Sequence, residues 1–179
     1  MCSNPHRIAS LNNMNNHSSD IKFGHINVCS LRPKKEKFLE IHKLIYDSKL
    51  DVIGVSETWL TPEISSEAVG VEGYSFVRCD RSGRRGGGVG IYIWKSLNFN
   101  ILKSLSFFES EQSCYEMIVV EISSKLSKVI IGALCIPPTS DILIIEDCIS
   151  ELSAFYDETI FMGDLNYNLL NPSTRDILL

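Results

Sequence analysis

The sequence predicts a single α/β domain with a mixed β-sheet, and three observations carry that expectation. A strand-helix-strand unit opens the ordered part of the chain, at "IKFGHINV" (21–28), "PKKEKFLEIHKLIYDSK" (33–49) and "DVIGVSETW" (51–59). Several strand-like runs with short links follow it, which is the pattern of antiparallel neighbours. Helical spacing then returns once, at "SDILIIEDCISELSAFY" (140–156), before a last apolar run, "ETIFMGDLN". Helices therefore flank the strands, which form one mixed sheet or two packed together.

Each element has a local reason. In the first helix Pro33 suits the opening turn, because its fixed φ and missing N–H cost nothing there. Phe38, Ile41, Leu44 and Ile45 recur at helical spacing and define the inner face. "DVIGVSETW" is short and continuously apolar, as a strand covered on both faces must be, so the first unit reads as a parallel β-α-β pair. "YSFVRC" (74–79), "GVGIYIW" (88–94), "NFNILKS" (98–104), "YEMIVVEI" (115–122) and "KVIIGALCI" (128–136) are the intervening strands. The second helix carries Ile142, Ile145, Ile149, Leu152 and Phe155 as its inner stripe. Residues 1–20, rich in Asn and Ser, read as a disordered tail, and residues 21–179 as the domain.

Composition narrows the class. A chain of 179 residues with 44% hydrophobic content can bury one core. Its six cysteines show no CxxC pair, which argues against zinc or a small disulfide framework and for a reducing, intracellular setting, nuclear or cytoplasmic. No apolar run is long enough to cross a bilayer; "VIIGALCIPP" is the longest and holds two prolines. The net charge of −5 is uneven. Residues 1–100 hold 13 Lys/Arg against 10 Asp/Glu, and the remainder 4 against 12, so a basic surface can coexist with an acidic, cation-attracting pole.

Three strands end in polar residues that their apolar bodies do not explain: Asn27 in "HINVCSL", Glu57 in "VIGVSETWL", and Asp164 with Asn166 in "FMGDLN". Taken singly, Asn27 and Asp164 suit turns and Glu57 suits a cap. Taken together, they place polar groups at one edge of a sheet. Two carboxylates brought close repel unless they share a cation or a proton, and a hard ion with oxygen ligands, Mg²⁺ above all with Mn²⁺ as substitute, resolves the conflict. Glu116 and Glu121 read as residues of an ordinary strand.

The strings "HINVCSL", "DVIGVSETWL", "RCDRSGRRGGGVGIYI" and "FMGDLN", in this order, resemble the endonuclease domain of non-LTR retrotransposons, within the exonuclease–endonuclease–phosphatase superfamily. The resemblance implies a four-layer α/β/β/α sandwich of two mixed sheets. It also implies a Mg²⁺-dependent nick in DNA whose 3′ hydroxyl primes reverse transcription, by a monomer whose full-length parent holds a reverse transcriptase domain. Carried onto this chain, Glu57 is the metal-binding glutamate, and Asn27 lies near the metal and the scissile phosphate. Asp164 positions or deprotonates the attacking water, and Asn166 helps hold the phosphate. Two rival functions stay open: a phosphomonoesterase or inositol-phosphate phosphatase of the same superfamily, and a non-catalytic remnant that binds DNA or a partner.

Two departures from the family pattern stand out. Cys135 and Ile136 occupy the places where a tyrosine is usual, and Cys135 reads as a buried apolar filler rather than a nucleophile. The family's closing Ser-Asp-His motif has no counterpart: no histidine follows His42, and 13 residues follow Asn166. The domain is thus expected to be incomplete at its C-terminus and weak or inactive as a nuclease, since one lost transition-state contact costs about two to three orders of magnitude. His25 shares a strand face with Asn27 and reads as structural.

"RCDRSGRRGGGVGIYI" places Arg78, Arg81, Arg84 and Arg85 around a glycine-rich loop. A strand rather than a helix follows, so nucleotide-binding loops are excluded. Arg81, Arg84 and Arg85, with Lys34 from the first helix, are candidate contacts to a phosphate backbone. Neutralising Arg84 and Arg85 is expected to flatten the log–log salt dependence of DNA binding by about 0.9 per lost phosphate contact. Binding titrations across a salt series measure that slope.

Overall fold

The computed structural model describes residues 7–10, 21–33, 36–83, 85–110, 113–123, 128–138, 140 and 143–166. Among the described residues nine strands and two helices follow one another as β1 (Arg7–Ser10), β2 (Lys22–Asn27), α1 (Glu36–Ser48), β3 (Val52–Ser56), β4 (Tyr74–Cys79), β5 (Val89–Trp94), β6 (Asn98–Ser110), β7 (Ser113–Ser123), β8 (Lys128–Cys135), α2 (Leu143–Phe155) and β9 (Thr159–Asp164). A short 3₁₀ turn at Ser66–Val69, capped by the Ser65 hydroxyl, separates β3 from β4.

The strands form two mixed sheets. The first has the order β1-β2-β3-β5-β4 and the second β6-β7-β8-β9. Strands joined by a helix run parallel, β2 with β3 through α1 and β8 with β9 through α2, while short links give antiparallel pairs. This is the division that link length predicts. Within the stretch expected to be a tail, Arg7–Ser10 pairs antiparallel with β2 and covers its outer edge; the remaining residues up to 20 lie outside those described. So does everything after Asn166.

Alternation along each strand builds three cores, and thereby four layers. Ile53, Val55 and Tyr92 face α1, where Ile41 and Ile45 cover them. Val52, Val89, Ile91 and Ile93 face the second sheet, meeting Ile118, Val120, Ile122, Ile131 and Ala133. The far side of the second sheet offers Met117, Val119, Ile130 and Leu134 to Leu152 of α2. The architecture is the expected α/β/β/α sandwich. Gly54 sits where the sheets approach closely: a Cβ there would lie 2.7 Å from Met162 Sδ of β9.

The helical stripes are narrower than the spacing suggests. Leu44 is 41% exposed and Phe155 is 80% exposed, so neither belongs to an inner face. Ile41 and Ile45 already fill the seam over β3, which leaves Leu44 on its flank. Phe155 stands in the last turn of α2, after Leu152 has made the contact with the sheet. β6 is longer than expected, and a register shift between Ile101 and Lys103 turns part of it.

Ile131 lies at the centre of the middle core with no exposed surface. Ile131→Ala is expected to lower the unfolding free energy by about 2–5 kcal/mol. Urea denaturation with an unchanged slope would report that loss as lower stability of the same folded state.

Candidate active site

One cross-strand row in each sheet carries polar residues, and the two rows face each other. In the second sheet Glu116, Cys135 and Asp164 are aligned neighbours on β7, β8 and β9. In the first sheet Asn27, Ser56 and Val89 are aligned on β2, β3 and β5. Glu116 shares strand parity with Ile118 and Val120, Cys135 with Ile131 and Ala133, and Asp164 with Ile160 and Met162, all of the middle core. The site is therefore the polar rim of the packing between the sheets. Its closing contact is a hydrogen bond from Asn27 Nδ2 to Asp164 Oδ2 at 2.9 Å, between residues 137 positions apart.

Glu57 follows the row by one residue, and its backbone is held in the left-handed region, φ 57°. Such a conformation costs a non-glycine residue about 1–3 kcal/mol and persists only where the surroundings enforce it. Here Ser30 N–H donates to Glu57 O at 2.7 Å, Thr58 N–H to Gly88 O at 3.2 Å and Trp59 N–H to Gly87 O at 2.9 Å. Cys29, Ser30, Trp59 and Asn166 also have positive φ, so the strain gathers at the strand ends.

The Glu57 carboxylate has three donors. Oε2 accepts from Trp59 Nε1 at 2.6 Å and from Gly87 N–H at 3.2 Å, and Oε1 from the Cys135 thiol at 3.2 Å. Burial alone would raise its pKa, but those hydrogen bonds and the Arg81 charge outweigh burial and leave the acid below its ordinary range. Cys135 moves the other way: burial, with Glu57 and Glu116 beside it, pushes the thiol up. A nucleophilic thiolate is thus disfavoured, as the filler reading expects, but the thiol also donates to the site's acid.

The arginine loop differs from expectation. Arg81 turns inward and forms a forked ion pair with Glu116, Nε to Oε1 at 2.6 Å and Nη2 to Oε2 at 2.8 Å, with 8% of its side chain exposed. It is not an open contact for phosphate; the unmatched acid in the middle core draws it in. Arg78 pairs with Asp80 at 3.3 Å and donates to Thr61 O. Arg85 is exposed, whereas Lys34 and Arg84 lie outside the described residues. Asn166 donates from Nδ2 to Ile136 O at 2.9 Å, which fixes its amide beside the end of β8.

The structure thus gathers Asn27, Glu57, Asp164 and Asn166 at one end of the sandwich. It adds Glu116 and Trp59, to which the sequence reading gave no role. The signal for Glu116 was its parity with Ile118, Val120 and Ile122; for Trp59, its place two residues after the acid.

Among the described residues no three His, Cys, Asp or Glu side chains form a metal-holding cluster. The oxygen donors present nonetheless fit a hard ion, since Mg²⁺ is commonly held by one or two carboxylates with waters and substrate phosphate completing its shell. Glu57 is ionised, and its Oε1 faces only a weak thiol donor that an ion can displace. Asn27 Oδ1 accepts from Cys29 N–H at 3.1 Å and from its thiol at 3.2 Å, so the amide's settled task is to orient Asp164.

No protein-family profile matches the chain, and no curated protein matches it in sequence. Solved structures do match its fold. ANGEL2, described as a 2′,3′-cyclic phosphatase, superposes with a TM-score of 0.60 at 20% identity, over 84% of this chain and 54% of its own. An endonuclease/exonuclease/phosphatase family protein from Bacteroides thetaiotaomicron gives 0.54 at 16%, over 78% and 58%. The endonuclease domain of TRAS1, a telomere-specific non-LTR retrotransposon, gives 0.57 at 13%, over 87% and 65%. These structures share its fold, the four-layer sandwich that the motif resemblance implied, and the chain spans between about half and two thirds of the length of these neighbours.

His25 stands beside the row, its Nε2 3.1 Å from Ser56 Oγ. Burial lowers its pKa from 6.5 to about 4, against the opposing pull of the Asp164 carboxylate. The folded state therefore holds it neutral while the unfolded chain takes up a proton first on acidification. Its contribution is intact above pH 6.5 and is lost as pH falls towards 4, by up to about 3 kcal/mol. Denaturant melts at pH 7, 5.5 and 4.5 should show this loss for the natural protein and a smaller one for His25→Gln.

Proposed function

We propose that the chain carries the divalent-metal-dependent phosphodiesterase site of a DNA endonuclease, of the type found in non-LTR retrotransposons. The hydrogen bond between Asn27 and Asp164 carries the reading, because it places an oriented carboxylate from one sheet against the ionised Glu57 region of the other. Glu57 would hold the ion, joined by Asn27 Oδ1 in place of its weak contact with the Cys29 thiol. When bound, that ion supplies charge neutralisation at the non-bridging phosphate oxygens. Asp164 orients the attacking water and accepts its proton, and Asn27 Nδ2 keeps the carboxylate aimed. Asn166, anchored on Ile136 O, leaves its remaining amide N–H for the phosphate. Arg85, with Lys34 and Arg84, supplies cations along the backbone of the duplex.

His25 offers no imidazolium to the phosphate, since it is neutral near pH 7 and engaged with Ser56. Among the described residues Arg81 is the cation beside Glu57, and Glu116 neutralises it. A phosphatase reading is favoured by one specific observation, the likeness to a 2′,3′-cyclic phosphatase. A panel of supercoiled plasmid, abasic duplex, inositol phosphates and a 2′,3′-cyclic nucleotide separates the readings.

The purified chain is expected to nick supercoiled plasmid in Mg²⁺ or Mn²⁺, and not at all in EDTA. Asp164→Asn and Glu57→Gln should each lower that rate by about 10²–10⁴-fold. Hydrolysis confined to the small phosphate esters would replace the endonuclease assignment. DNA binding without metal-dependent turnover of any panel member would make the site a remnant.

A further inference from the structure

The glycine loop between β4 and β5 reaches Glu57 from one side and the second sheet from the other. Gly87 N–H donates to Glu57 Oε2 at 3.2 Å, while the next residue, Gly88, donates its N–H to Glu116 Oε2 at 3.4 Å. The same loop gives its carbonyls at 87 and 88 to Trp59 and Thr58, the two residues after the acid. Arg81 lies flat against the turn: a Cβ on Gly87 would fall 2.0 Å from the guanidinium carbon, and Gly87 itself has φ 66°. Arg81 Nη2 also approaches the thiol of Cys135 at 3.8 Å, and that thiol donates to Glu57 Oε1. Besides the Trp59 indole on Oε2, each oxygen of Glu57 thus meets a group that rests on Arg81 or Glu116. The acid itself touches neither residue through a hydrogen bond.

We infer that the forked pair of Arg81 and Glu116 is a positioning device, which anchors the Gly87–Gly88 turn to the second sheet and so sets the orientation of the Glu57 carboxylate. The inference rests on the ion reading of Glu57 proposed above. Its chemistry is that of outer-shell partners in metal sites, whose loss commonly weakens metal affinity or activity by about 10–100-fold. A merely structural ion pair behaves differently. Replacing such a pair by apolar groups of similar volume is often neutral or stabilising, because two charges no longer need to be stripped of water.

The test uses that contrast. In a Trp94→Phe background Trp59 is the only tryptophan, and its indole donates to Glu57 at 2.6 Å. It can sensitise emission from Tb³⁺ held by the acid, and it reports local order through its quenching by acrylamide. The paired substitution Arg81→Met with Glu116→Leu should keep the melting temperature at or above that of the parent. It should weaken Tb³⁺ binding by about 10–100-fold and raise the acrylamide quenching constant measured without metal. Arg81→Lys, which keeps the charge but loses the fork, should act in the same direction and serves if the paired variant does not fold. In a folded variant, either readout remaining at the parent value overturns the inference. A parent protein that gives no Tb³⁺ emission sinks the ion reading alone, and acrylamide quenching then decides the positioning role.

Discussion

The hydrogen bond from Asn27 to Asp164 is the contact on which the site depends, because it is made across the gap between the two sheets. Everything that shapes the gap therefore shapes the site. Gly54 lets β9 lie close to β3, and the aligned apolar pairs of the middle core fix the spacing further along. At the rim the rows change from aliphatic to polar within one step of strand alternation. A tightly packed interior transmits position with little slack, so side chains drawn from strands far apart in sequence meet at hydrogen-bonding distance without a dedicated scaffold.

Much of the fold was legible in the sequence. Link length separated the parallel from the antiparallel pairs, and the order of the apolar runs matched the strands observed, with boundary differences of a few residues and a longer β6. The helical stripes were read too wide. Spacing marks which residues share a face, but the width actually covered depends on the curvature and extent of the sheet beneath, which spacing does not carry. Leu44 and Phe155 are the cost of that omission.

The site was legible in its first layer. Asn27, Glu57, Asp164 and Asn166 stood out because each interrupts an apolar run where the backbone has to turn. The second layer was harder to see. Glu116 looks ordinary in "YEMIVVEI" because both faces of β7 are buried, and parity alone does not tell which face meets the other sheet. Arg81 looked like a surface cation because glycines and neighbouring arginines suggested a solvated turn. Only the register linking Glu116, Cys135 and Asp164 shows that an acid waits for it inside.

The separation of Asn27 from Asp164 along the chain also governs when the rim of the gap closes. A chain emerging from the ribosome builds the first sheet early, with Glu57 and the paired β2 and β3 in place, yet without the Asp164 carboxylate that meets Asn27. Long-range pairings of this kind form late and slowly. In a nascent or partly unfolded copy the polar rim is consequently open on one side, and it closes in one step, with the docking of β9.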